Sequence, residues 1–308
     1  MKKPLIAVAI SMAFISGAQA ESQFYGKMNV SLNYADADPE LSLNSNASRL
    51  GVKGSDDLGN SKVIYQAEFE LAVDDGLGTD KNDVVNTDTD TNTLKSRDTY
   101  IGLEYGNAGT VKMGLMDTPL KKSQGKFDLF NDVVDIKNVL DGEKRTANSI
   151  NYTTPKIGAV QASVSYLLKE DDTKDDGISA SVTYSQDAIY ASVAVDSKTE
   201  DDDTSTVRAT VIYNAGDLSF GALLNNVDAS DTKDDELGFA VNAAMKMGVN
   251  TAKVQFESGD QNILGATSTT IGLDHKLAKT TKAFVYVNQF DHDAGDQLTV
   301  ALGLEHKF

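Results

Sequence analysis

From Gln23 onward the chain repeats one unit, about ten residues of alternating polarity followed by a break. Lys62 to Leu71 shows it well. Val63, Tyr65, Ala67, Phe69 and Leu71 fall on one side, with Lys62, Gln66, Glu68 and Glu70 on the other, the period of two that a half-buried strand imposes. The last run, Leu298 to Phe308, sets Leu298, Val300, Leu302 and Leu304 against Thr299, Ala301, Gly303, Glu305 and Lys307. It then stops on an aromatic ring, where a free strand end would fray into a polar tail, so this end is expected to be held by another part of the chain. Segments of helical period are almost absent.

The breaks come in two kinds that alternate. DDLGN (Asp56 to Asn60), GNAG (Gly106 to Gly109), TPKIG (Thr154 to Gly158), SQDA (Ser185 to Ala188), NAGD (Asn214 to Asp217), MGVN (Met247 to Asn250) and LAKTT (Leu277 to Thr281) are tight-turn compositions. The others, such as ADADPELSLNSN, KEDDTKDD and VDASDTKDDE, are longer and mostly acidic. Hairpins with tight turns at one end and polar loops at the other describe an up-and-down antiparallel sheet with every long loop on one side. Sixteen segments result, starting near Gln23, Ser48, Ser61, Arg97, Thr110, Arg145, Ala159, Ile178, Ile189, Thr206, Leu218, Leu237, Thr251, Thr269, Lys282 and Gln297. An open sheet of that width would leave two edges to aggregate. Closure removes both, and joins the strand at Phe24 to the one ending at Phe308.

Sixteen strands enclose more space than side chains fill, so the polar face looks into an aqueous lumen and the apolar face outward to a bilayer. The predicted fold class is all-β: a transmembrane antiparallel up-and-down β-barrel of 16 strands. A β-sandwich would scatter its turn lengths and a solenoid would show a fixed period, and neither pattern is present.

Composition narrows the setting. Residues 1–20, MKKPLIAVAISMAFISGAQA, have Lys2 and Lys3, an apolar run from Leu5 to Ile15 and Ala18-Gln19-Ala20, the layout of a cleaved secretory signal peptide with Glu21 as first mature residue. Removing those twenty residues and two lysines from 308 residues at net charge −18 leaves 288 at −20, the barrel domain 21–308. There is no cysteine, so no disulfide framework supports the exported chain. The acidity argues against nucleic acid as a partner. His275, His292 and His306 sit on or beside three separate late strands with no recognisable nucleophile set, and no phosphate loop, zinc cluster or redox motif occurs. Neither an enzyme nor a cofactor is expected. Asp88 to Thr93, DTDTNT, starts like a calcium loop but has Thr93 where glycine is needed and Thr99 in place of glutamate, so it reads as solvated loop. The same holds for Glu200 to Asp203.

Several stretches resemble the Gram-negative general porins, the trimeric sixteen-stranded outer-membrane family. FYGKMNVSLNY (Phe24 to Tyr34) is similar to their first strand and SRLGVKGSDDLGN (Ser48 to Asn60) to their second strand and first turn. RDTYIGLEYGNAGTVKMGLMDTPL (Arg97 to Leu120) resembles the fourth and fifth strands, RTANSINYTTP (Arg145 to Pro155) the sixth, and the ending GLEHKF the terminal assembly signal. The chain has no Trp and lacks the Pro-Glu-Phe-Gly-Gly run of the best-known members.

The resemblance implies that the third loop, Asp117 to Lys144, folds into the lumen. Its carboxylates Asp128, Asp132 and Asp135 would face a basic wall of Lys27, Arg49, Arg97 and Arg145, and Phe308 would be read by the outer-membrane assembly machinery. It also implies a homotrimer among outer-membrane lipid and lipopolysaccharide, passing small hydrophilic solutes and ions. Parity independently turns Lys27, Arg49 and Arg145 inward, since a basic side chain on the lipid face near mid-membrane costs about 2–4 kcal/mol. Arg97 shares parity with outward Ile101 and Leu103 and needs a bulge to face the lumen. The excess of acid predicts a modest preference for cations. Alternatives left open are a solute-specific channel and a surface adhesin with a plugged lumen.

Overall fold

The structure, a computed structural model, describes residues 22–37, 39–74, 94–170, 174–199, 204–228 and 235–308. The signal segment, Asp88 to Thr93 and Glu200 to Asp203 lie outside these. The described residues form seventeen strand segments: β1 (Gln23–Ala35), β2 (Leu41–Ser45), β3 (Arg49–Asp57), β4 (Lys62–Leu71), β5 (Leu94–Tyr105), β6 (Gly109–Asp117), β7 (Arg145–Thr153), β8 (Val160–Leu167), β9 (Gly177–Gln186), β10 (Ile189–Ser197), β11 (Ser205–Ala215), β12 (Leu218–Asp228), β13 (Glu236–Met247), β14 (Asn250–Gly259), β15 (Ala266–Lys276), β16 (Thr281–His292) and β17 (Gly295–Lys307).

From β3 to β17 each strand pairs antiparallel with the next, and β1 pairs with β17 from Lys27↔Lys307 to Ala35↔Thr299. On its other side β1 pairs with both β2 and β3: Val30 to Tyr34 oppose Ser45 to Leu41, and Gln23 to Lys27 oppose Lys53 to Arg49. These two segments are therefore one stave, broken at Asn46, Ala47 and Ser48. Ala47 takes φ 47° there, and the Ser48 hydroxyl replaces the interrupted ladder, accepting from Asn29 N at 3.0 Å and donating to Asn29 O at 3.1 Å. Seventeen segments thus make sixteen staves in a closed ring. The sequence reading placed Leu41 to Ser45 in a loop. The structure corrects this, since Leu41 and Leu43 point outward at 68% and 46% exposure and continue the alternation above the break.

The burial pattern is inverted relative to a soluble fold. Val193, Leu224, Ile271 and Leu302 are more than half exposed, whereas Arg208, Asn225, Gln255 and Thr270 on the opposite parity are essentially buried. No helix among the described residues is long and apolar enough to cross a membrane. With apolar side chains outside and every strand paired, the bilayer meets no unsatisfied ladder.

Phe308 completes the ring. Gly26 N donates to Phe308 O at 2.9 Å and Phe308 N to Gly26 O at 3.1 Å. The Phe308 ring lies where a Cβ on residue 26 would stand, so the close approach requires glycine. Deleting Phe308 removes both bonds and the ring, and we expect folded, heat-modifiable protein in outer membranes to fall to a small fraction of native. Electrophoresis of unheated membranes checks this, and native amounts would refute it.

Candidate pore constriction

Thr118 to Lys144, between β6 and β7, carries an unusual load for a segment in a polar lumen. Leu120, Phe127, Phe130, Val134, Ile136, Val139 and Leu140 are all buried. The segment opens with a short helix, α1 (Pro119–Ser123), capped by the Thr118 side chain, which accepts from Lys121 N at 3.1 Å, and started by Pro119. Its apolar side chains find two seats on the wall. Phe127, Ile136, Val139 and Leu140 cluster with Ile212, Leu223, Ala240 and Ala266, and Phe130 and Val134 with Phe284, Tyr286 and Ala301. Wall glycines make room: a Cβ on Gly221 would meet the Phe127 ring, and one on Gly272 the Phe130 ring. Drying one such ring is worth about 1.5–3 kcal/mol, which favours a docked segment over one waving in water.

Hydrogen bonds fix the docked position. The Arg208 guanidinium, fully buried, gives Nη1 to Glu143 Oε1 and Nη2 to Asp141 O, both at 2.6 Å, and Nε to Asn225 Oδ1 at 3.0 Å. Tyr190 and Ser192 donate to Ser123 O at 2.7 and 2.6 Å, and Leu129 N donates to Gln255 Oε1 at 2.9 Å. Sequence reasoning missed these anchors. Their only signal was inward parity, which they share with many solvated lumen residues. All of them lie on β10 to β14, so the segment leans to that side. Toward β3 to β7 a cavity of about 900 Å³ remains, lined by loop and wall together.

The sequence candidates divide there. Asp132, held at φ 73°, receives the Lys27 ammonium and lies 3.7 Å from Arg49 Nη2. Burial alone would raise its carboxyl, but the charges of Lys27 and Arg49 outweigh burial and hold it below the usual carboxylate range. Arg97 faces the lumen through a bulge in which Glu68 alone, between Ala67 and Phe69, opposes both Arg97 and Asp98. Its guanidinium pairs with Glu68 at 2.8 Å and with Glu70. Arg145 opens β7 opposite Asp117 and holds Asp98 at 2.7 Å and Asp117 at 2.8 Å.

The loop carboxylates divide as well. Asp128 and Asp135 line the same cavity as Arg49, Arg97 and Arg145 but make no ion pair with that wall among the described residues: Asp128 accepts from Phe130 N, Ile136 N and Gln255 Nε2 at 3.0, 3.3 and 3.0 Å, and Asp135 caps the turn Ile136–Asn138 through Lys137 N at 3.0 Å. Arg97 and Arg145 carry their own carboxylates along the strands. Of the four basic candidates, Lys27 and Arg49 reach across to the segment between β6 and β7, through Asp132.

With this geometry in place, comparison with known proteins is informative. A sequence model described as Gram-negative porin matches residues 6–295. The chain belongs to the Gram-negative porin family. Solved structures agree on the fold of this porin. An anion-selective porin from Comamonas acidovorans superposes with TM-score 0.78 at 22% identity, covering 94% of this chain and all of that one. OmpF of Salmonella typhi, in complex with daunomycin, gives 0.71 at 14%, covering 93% and 97%, and the trimer form of OmpT from Vibrio cholerae 0.67 at 14%, covering 94% and 99%. A search of curated proteins finds no match. The protein is thus an outer-membrane porin that crosses the bilayer many times with β-strands.

Burial first, and then the charge of Asp135, push the Asp128 carboxyl up to about 7. Because this value lies above that of a solvated carboxyl near 4, the docked loop binds the proton more tightly than an undocked one does. The resulting stabilisation is full at pH 4 and lost as pH rises through 7. We expect amide protection at Phe130 and Ile136, corrected for intrinsic exchange, to fall several-fold from pH 5 to pH 8 in the native porin. Asp128→Asn should abolish that dependence, and an identical fall in the variant would refute the assignment.

Proposed function

We propose that this porin passes ions and small hydrophilic solutes by passive diffusion, that its narrowest passage is the gap between Thr118 to Lys144 and β3 to β7, and that charge selectivity is set there. The observation carrying the reading is the one-sided docking of the loop. Its hydrogen-bond anchors lie on β10 to β14, and a charged cavity remains toward β3 to β7, which favours a channel over a plugged barrel. Assembly as a homotrimer, export through residues 1–20, contact with lipopolysaccharide and recognition of Phe308 by the assembly machinery belong to the same reading.

The sign of selectivity follows from the gap rather than from the whole chain. Eight basic and six acidic side chains line it. Of the acids, Asp128 is turned into the loop and half-protonated near neutrality, Asp132 is held by Lys27, and Glu143 is taken by Arg208. Lys122 and Lys126 have no carboxylate within 4.0 Å among the described residues. Charges farther from the narrowing than the screening length of about 8 Å at physiological salt act weakly on it. The net −18 therefore yields to the local excess of base, and a modest preference for anions replaces the cation preference expected from composition.

Reversal potentials across planar bilayers in a tenfold KCl gradient test this. We expect the native channel to lie on the anion side, and Arg49→Gln with Arg145→Gln to move it toward cations while raising conductance. A cation-preferring native channel, or a double variant with an unmoved reversal potential, would overturn the selectivity assignment. A folded protein without conductance would overturn the channel.

A further inference from the structure

Toward the short-turn end of the lumen, beyond the gap, lies a second group of cations. Lys53 on β3 has its Nζ 5.0 Å from the centroid of the Tyr25 ring, and Lys112 on β6 has its Nζ 4.2 Å from that of Tyr100. Register brings the two pairs to one patch of wall. Tyr25 opposes Gly51, two residues from Lys53; Lys53 opposes Gln66, Gln66 opposes Tyr100, and Tyr100 opposes Gly114, two residues from Lys112 on the same face. At about 4.8 Å between neighbouring strands, Lys53 and Tyr100 are attached roughly 10 Å apart. Lys122 of α1 leans in from the loop. It lies near enough to Lys112 for their charges to act on each other.

What distinguishes these lysines is the lack of carboxylate partners. Lys27, Arg49, Arg97, Arg145 and Arg208 each have an ion pair. Lys53, Lys112 and Lys122 have none within 4.0 Å among the described residues. Of the acids nearby, Asp98 is held by Arg145, and Glu68 accepts from Arg97 and from the Tyr25 hydroxyl at 2.9 Å. The ring faces keep the two wall ammoniums extended over a defined surface, and the rings are themselves fixed, Tyr25 through Glu68 and Tyr100 through Gln66 at 3.3 Å. Lys53 and Lys122 are exposed and Lys112 is half-buried, so all three can be reached from the lumen.

We propose that Lys53, Lys112 and Lys122 form a binding station for a doubly charged phosphate-type oxyanion, free or ester-linked, in transit through the lumen. The inference rests on the channel reading above. Chloride can satisfy one ammonium at a time, whereas a phosphoryl dianion has enough oxygens to accept from two or three of them together. A station that faces water holds such an ion weakly, which transport requires, since a tightly bound solute does not leave.

The test uses the purified full-length porin in planar bilayers at pH 8, where phosphate is a dianion and lysine is charged. Inorganic phosphate or glucose 6-phosphate is added at constant ionic strength, and each current is normalised to the same variant's own KCl current. We expect saturable reduction of the KCl current with half-effect on the order of millimolar. Lys53→Gln with Lys112→Gln should raise the half-effect concentration at least tenfold, and Lys122→Gln alone about threefold by the loss of one charge-assisted donor. Reduction by both probes supports a shared phosphoryl site. Reduction by inorganic phosphate alone assigns the free ion as ligand, and reduction by the ester alone assigns the ester. KCl conduction that neither probe reduces, or reduction that all three lysine substitutions leave unchanged, overturns the station while the channel stands. If the porin conducts no KCl, the channel reading falls, and calorimetric titration of phosphate into the detergent-solubilised trimer decides the station. Heat lost in the double variant supports it, and no heat overturns it.

Discussion

Everything in this porin depends on one constraint: a backbone in hydrocarbon has no water to bond. Each strand must have a partner on both sides, and the ring must close. Closure falls to β1, which pairs with β17 along one edge and with β2 and β3 along the other. The Gly26 and Phe308 bonds extend that seam to the last residue. Where the ladder is interrupted at Ala47, a serine hydroxyl takes over the duty of the missing backbone groups. The chain tolerates a break because the polar atoms at the break are satisfied on the lumen side.

Closing sixteen staves creates a lumen too wide to fill, and the segment between β6 and β7 answers it unevenly. Its apolar side chains need dry seats, which only one half of the wall supplies, through Gly221, Gly272 and small or aromatic inward residues. The buried Arg208 and Gln255 then lock it there. The opening is what the docked loop does not cover. Pore geometry in this porin is set as much by the hydrophobic effect inside a wet barrel as by the charged residues that line the gap.

Those charges show why net charge misleads. The chain carries −18, yet the carboxylates beside the gap are mostly engaged, by Lys27, Arg97, Arg145 and Arg208. At close range an engaged pair presents a dipole, and an unpaired lysine a full charge. A permeating ion within a Debye length of the wall responds to the second far more than to charges beyond that length.

Much of the fold was legible in the sequence. Period-two alternation and the sorting of turns by length are local properties of the chain, and with the rule against open edges they determined the closed antiparallel barrel and its sixteen staves. Inward parity was equally legible at Lys27 and Arg49. The tertiary structure decided whatever depended on register. A single bulge opposite Glu68 turned Arg97 to the lumen, and a three-residue break split one stave into β2 and β3. The side of the barrel on which the loop docks, the turning of Asp128 into the loop, and the choice of which lysines keep no partner were decided in the same way. The physical reason is range. Alternation couples residues two apart, whereas an ion pair such as Lys27 with Asp132 joins residues far apart in the chain, and only the closed wall brings their charges within reach of each other.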